Sequence, residues 1–123
     1  MDIVSTNLAP RAIGSYSQAV KAGGFIFCSG QIPLLVDGTM VLGSVKEQTR
    51  QVLENLGSVL EAGGSALDRV VKTTVYLTDM AFFQDMNEVY SQFFIQHKPA
   101  RSTVQVAGLP RGASVEIEVV ALA

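Results

Sequence analysis

Between Ser44 and Gly64 the chain carries one apolar stripe. Val45, Val52, Leu53, Leu56, Val59 and Leu60 recur at the three- and four-residue spacing of a single helix face. Ser44 with Glu47 three residues later forms a capping box, which pairs two backbone donors that a helix start otherwise leaves orphaned. Gly63-Gly64 then supplies a left-handed stop. The spacing predicts a helix from Ser44 to about Ala62 that has to lay one face on a sheet.

The flanking segments supply the strands of that sheet. Tyr16 to Ala22 and Phe25 to Ile32 read as two strands joined at Gly23-Gly24, a dipeptide free to take the positive φ of a tight hairpin. β-Branched residues return from Arg69 to Leu77. Phe82, Phe83, Met86, Val89, Tyr90, Phe93 and Phe94 then mark a second amphipathic helix, whose aromatic density reads as core packing. Strands at about 101 to 107 and 114 to 122 complete the order ββαβαββ. The expected class is α+β, a mixed sheet with two helices on one face and the other face left for partner subunits. One domain over residues 1–123 is expected, with no linker or low-complexity segment; whether the two strand-helix passages are a divergent duplication stays open.

Composition narrows the partners. Of 123 residues, 48% are hydrophobic and only 16% charged, enough for a packed core and with apolar surface to spare for a subunit interface. The net charge of -2 and the lack of a Lys/Arg run argue against nucleic acid as a first partner. No stretch approaches the roughly 18 apolar residues that span a bilayer. The amino terminus has neither a secretory nor an Arg-rich organellar pattern, so the cytoplasm is expected, with an organellar form open if a presequence has been removed.

Cys28 is the only cysteine, which excludes an intrachain disulfide and suits a reducing compartment. It lies in an apolar strand and reads as a core residue. The lone His97 reads as structural, a cation in the last turn of the second helix before Pro99.

The chemistry-bearing residues concentrate near the carboxyl terminus. Arg101 opens a strand after Pro99-Ala100, and Glu116 and Glu118 share one face of the last strand. The spacing alone leaves two readings open, an anion clamp beside a carboxylate or a surface Arg with two solvated Glu.

Six stretches carry a resemblance that bears on this choice. They are Ile13-Gly-Ser-Tyr-Ser-Gln-Ala, Phe27-Cys-Ser-Gly-Gln-Ile-Pro, Arg69-Val-Val-Lys-Thr-Thr-Val-Tyr-Leu-Thr-Asp, Asn87-Glu-Val-Tyr, Pro99-Ala-Arg-Ser-Thr-Val and Val115-Glu-Ile-Glu. In order and along the whole chain they resemble the RidA (YjgF) family of reactive imine deaminases. The resemblance implies a chorismate-mutase-like fold, a homotrimer with clefts between subunits, and cofactor-independent hydrolysis of 2-imino acids released by pyridoxal-phosphate enzymes. Expected substrates are 2-iminopropanoate and 2-iminobutanoate.

Carried over residue by residue, the resemblance makes Arg101 the substrate-carboxylate ligand, a task its planar fork suits and Lys does not. Glu116 becomes the acid that positions water. Ser29 and Gly30 match the segment whose backbone approaches the ligand, with Gln31 part of the same signature. Tyr16 corresponds to a residue beside the substrate, its alternative being a half-buried strand aromatic. Asn87 resembles a polar position near the cleft, its alternative a helix-surface amide. Thr103 departs from the pattern, since many relatives carry Cys there; a thiol role is excluded, and the backbone carbonyl at this position is the implied water contact. Glu118 is expected to be solvated.

Two other functions stay in play: a non-catalytic trimer that binds small carboxylates or regulates a partner, and a nuclease. The acidic balance, the lone His and the absence of a metal-ligand cluster in the sequence argue against the nuclease. Chorismate mutase activity would rest on fold analogy alone.

Overall fold

The computed structural model describes residues 1–123. The chain runs through β1 (Asp2–Val4), β2 (Ala19–Ala22), β3 (Phe25–Gln31), α1 (Val45–Ala62), β4 (Val70–Leu77), α2 (Phe83–Phe93), β5 (Ala100–Gln105) and β6 (Val115–Leu122). One six-stranded sheet has the order β1-β2-β3-β6-β4-β5. Only β4 and β5 are parallel; the other neighbours are antiparallel. The class and the two-helix layer match the sequence expectation, and β1, a three-residue edge strand beside β2, is an addition to it.

The local signals act largely as read. Gly23 and Gly24 have φ of 59° and 84°, so the β2–β3 hairpin closes through two left-handed residues, with Ala22 paired to Phe25. At the start of α1 the Ser44 hydroxyl accepts from the Glu47 amide at 3.2 Å. The Glu47 carboxylate lies back over Gly43, so the capping box is half made as hydrogen bonds. Gly64, with φ 83°, ends the helix.

Side-chain alternation divides the sheet. Val75 and Leu77 of β4 and Val115, Ile117 and Val119 of β6 are buried under the helices. Val52, Leu53, Leu56, Val59 and Leu60 of α1 meet them in one core cluster with Met86 and Tyr90 of α2. Each fully buried aliphatic contributes about 1.5–3 kcal/mol through removal from water. The opposite face has no covering element and exposes Phe25, Phe27 and Leu122.

Several boundaries differ from the sequence reading. The first strand begins at Ala19, because Gln18 turns inward and its amide binds the backbone of Thr6 and Pro10, holding residues 5–18 as an ordered loop. Tyr16 is therefore a loop residue, 52% exposed, and not a half-buried strand aromatic. The second helix stops at Phe93, which leaves His97 outside it. Its Nε2–H donates to the Val70 carbonyl and ties the α2–β5 connection to β4, so the residue is structural, but through a hydrogen bond and not through the helix dipole. The fifth and sixth strands are slightly shorter than expected.

Asn55, on the buried side of α1, is a support that periodicity does not single out. Its Nδ2 donates to the carbonyls of Ile32 at 3.3 Å and Leu34 at 2.9 Å, and its Oδ1 accepts from Gln51 at 2.9 Å. It pins the segment leaving β3 against the helix. Asn55→Ala should lower stability by about 1–3 kcal/mol, because two carbonyls lose their partner inside the protein. Urea unfolding at fixed protein concentration checks this, and an unchanged midpoint would show the amide to be dispensable.

Candidate active site

Glu116 projects from β6 on the uncovered face, half-buried, opposite Tyr76 of β4. The β3–β6 register shifts between Cys28 and Gln31, and at this irregularity Gly30 comes against the Glu116 carboxyl. A Cβ on Gly30 would stand 2.9 Å from Cδ and Oε1 of Glu116, so glycine leaves the space the carboxylate occupies. Ser29 is fixed beside it: its Oγ donates to the Ser17 carbonyl at 2.6 Å and its amide to the Gln18 carbonyl at 3.0 Å. These residues, with Gln31 and Tyr16, line a cavity of about 570 Å³. The Tyr16 hydroxyl accepts from the Ile13 amide at 3.4 Å.

Burial, and then the negative charge of Glu118, push the Glu116 carboxyl above its ordinary value of 4.5. Glu118 is not merely solvated, as the sequence suggested, because the Tyr76 hydroxyl donates to its Oε1. That bond, more than burial, raises the Tyr76 phenol above its ordinary value and keeps it a donor. The two carboxylates share a face at i and i+2, so Glu118 is held where its charge acts on Glu116.

Arg101 occupies the other face. It pairs across the parallel ladder with buried Thr73, whose hydroxyl is hydrogen-bonded to the Tyr90 hydroxyl of α2 at 2.8 Å. The guanidinium carbon lies 4.7 Å from the Tyr90 ring centroid and 5.4 Å from that of Phe83. Its Nη1 donates to Asn87 Oδ1 at 2.7 Å. Asn87 is therefore not a free helix-surface amide; it orients Arg101. This is the only hydrogen bond the guanidinium makes in the chain, and its other N–H groups remain for a ligand in an adjoining cavity of about 410 Å³. Thr103 lies on the same face two residues along β5 and does not line that cavity.

The structure thus brings the predicted residues into two groups. Tyr16, Ser29, Gly30 and Glu116 share one cavity, Asn87 and Arg101 share another, and the sheet separates them. Arg101 and Glu116 of one chain face opposite ways and cannot contact the same small ligand. Sequence reasoning missed Arg11 and Arg111, which also line the Glu116 cavity; the Pro110-Arg111-Gly112 turn before β6 was the available signal. Cys28 is a core residue, its thiol pushed up to about 12 by burial. No three His, Cys, Asp or Glu side chains converge as metal ligands.

Known proteins resemble this chain over nearly its full length. A mouse protein named 2-iminobutanoate/2-iminopropanoate deaminase is 49% identical over 121 residues, covering 98% of this chain and 90% of its own. The Arabidopsis thaliana protein named Reactive Intermediate Deaminase A, chloroplastic, is also 49% identical, over 98% of this chain and 65% of its own length. Among solved structures, yeast Mmf1 superposes with a TM-score of 0.96 at 48% identity, covering 98% of this chain and 97% of that one. Escherichia coli TdcF with bound serine gives 0.94 at 42% identity, covering 100% and 99%. The profile of the family described as Endoribonuclease L-PSP matches residues 6–123, and this chain belongs to that family, which is the RidA (YjgF) family.

Proposed function

We propose that this protein hydrolyses short 2-imino acids such as 2-iminobutanoate and 2-iminopropanoate to 2-oxo acids and ammonia, without a cofactor. The observation that carries the proposal is a pair of complementary half-sites. A stacked guanidinium stands on one sheet face, and a half-buried carboxylate with a raised pKa stands in a cavity on the other. The names of the mouse and Arabidopsis relatives support the reaction class.

Joining the halves requires a second copy. In a homotrimer with clefts between subunits, Arg101 of one chain meets Glu116 of its neighbour. The exposed apolar residues Phe25, Phe27 and Leu122 on the uncovered face support such assembly, since burying them stabilises contact between copies.

In that cleft Arg101 pairs with the substrate carboxylate, with Asn87 and Tyr90 limiting its rotation. Glu116 orients water against the carbon of the protonated imine and takes a proton as the C–O bond forms, giving a carbinolamine. Returning that proton to nitrogen makes ammonia the leaving group, and the C–N bond breaks as the hydroxyl proton passes to Glu116 and the carbonyl forms, so one water is consumed and one ammonia leaves. Gly30 lets the substrate plane approach the backbone, Ser29 fixes that backbone, and Tyr16 borders the open side. The Thr103 carbonyl completes the water contacts. Protection of pyridoxal-phosphate enzymes from reactive imines is the proposed physiological role. No helix is long and apolar enough to cross a membrane, and the single buried thiol fits a reducing cytoplasmic setting. The family's description as an endoribonuclease raises a nuclease reading, but no gathered metal ligands or paired catalytic histidines support one.

Arg101→Ala should reduce kcat/KM for 2-iminobutanoate, made in situ from threonine by a dehydratase, by about 10- to 100-fold, the equivalent of one charge-assisted contact. A variant that keeps the parent's assembly and rate would remove Arg101 from the mechanism. Co-refolding Arg101→Ala with Glu116→Gln in equal amounts should restore about a quarter of parent activity, because one cleft in four then receives both intact groups from different chains. No recovery in mixed assemblies would argue that the site lies within one chain.

The acid limb of kcat/KM, after subtraction of spontaneous imine decay, should move to lower pH in Glu118→Gln, where repulsion of the Glu116 charge is gone. For stability the sign is opposite to that of an ion-paired acid. The folded state binds the Glu116 proton more tightly than the unfolded chain, so its contribution is largest when protonated and is lost as pH rises through the raised value. Glu116→Gln should therefore leave the melting temperature at pH 7 equal to or above the parent's. A drop would show that the charged carboxylate supports the fold.

A further inference from the structure

The Glu116 cavity holds two cations that hydrolysis of a short 2-imino acid leaves unused. Arg11 and Arg111 both line it, and neither has an anionic partner, since the chain's single ion pair is Lys46–Glu88. Arg11 makes no side-chain hydrogen bond within the chain. Arg111 donates only to the Gly38 carbonyl, at a long 3.4 Å.

The backbone at Arg111 strengthens the case. It is the only non-glycine residue with positive φ, at 58°. That left-handed conformation is uncommon for residues other than Gly, Asn and Asp and costs about 1–2 kcal/mol. Glycine would relieve it, and Gly112 with φ 73° already does so one residue on. Retaining a long cationic side chain at the strained position puts a guanidinium at the cavity rim, and strain of this kind clusters at functional sites. The two cations share with the reacting carboxylate a cavity of about 570 Å³.

We propose that Arg11 and Arg111 form a second carboxylate-binding edge of this cavity, and that the preferred substrates are 2-imino acids bearing a carboxylate on the side chain. This inference rests on the deaminase reading. The α-carboxylate goes to Arg101 of the neighbouring copy, the imine carbon lies at Glu116, and the side-chain carboxylate reaches the arginine edge. Bond making and breaking are unchanged: one water is added and one ammonia is released.

The test compares imines generated in situ by amino-acid oxidases from aspartate and glutamate with those from alanine and 2-aminobutyrate. The parent should show a higher kcat/KM for the dicarboxylic pair. That preference ratio should fall about tenfold in Arg111→Gln and further in the Arg11→Gln/Arg111→Gln double variant, and Arg111→Lys should recover much of it because the charge returns. Arg111→Gly guards against a folding artefact: it relieves the strained φ, so it should match the Gln variant in ratio with a melting temperature no lower than the parent's. A parent that turns over the short imines but shows no dicarboxylic preference, or a ratio unmoved by these substitutions, overturns the second edge alone. A parent inactive on every imine overturns the deaminase reading and this inference with it.

Discussion

Side chains on a strand alternate between faces, and in this sheet that period decides where the reactive groups stand. Arg101 is in register with Thr73, which points under α2, whereas Glu116 is in register with Tyr76, which points away from both helices. The guanidinium is consequently stacked and oriented by helix residues, and the carboxylate lies on the uncovered face. A fold of this kind cannot bring the two together by a small motion, because the sheet lies between them. A site using both has to be built from more than one copy.

The environments on the two faces suit different tasks. Arg101 sits over an aromatic ring whose hydroxyl is itself anchored to Thr73, so the cation is positioned without an anionic competitor. Glu116 is deprived of water by its cavity and repelled by Glu118, which makes it a stronger base than a free carboxylate. Tyr76 keeps Glu118 in place to exert that repulsion. These arrangements are costly for a lone chain: an unrelieved charge on a half-buried acid and apolar side chains left in solvent. The cost of the exposed apolar side chains falls when a second copy covers them.

Much of the fold was legible because its signals are local. The stripe of α1, the Ser44 cap and the two glycines of the hairpin act within a few residues of themselves, and each is found where periodicity and turn chemistry put it. The misreadings come from contacts between residues far apart in sequence. Gln18 bonds back to Thr6 and Pro10 and withdraws Tyr16 from the first strand, and His97 turns to Val70 after the helix has ended. Asn55 looked like any polar residue on a helix, yet it is buried with its amide committed to two carbonyls of the chain leaving β3.

The sequence by itself determined both helices, every strand but β1, and the helix-covered face, because these follow from residue type and short-range spacing. Only the tertiary structure decided how the site residues group. Inserting β6 between β3 and β4, instead of beside β5, places Glu116 against Gly30 from a distant strand and within reach of Glu118's charge. The same register turns Arg101 to the other side, and the turn before β6 brings Arg111 to the cavity of Arg11. Spacing along a chain carries no information about strand order, and strand order is what sets which side chains share water, charge and space.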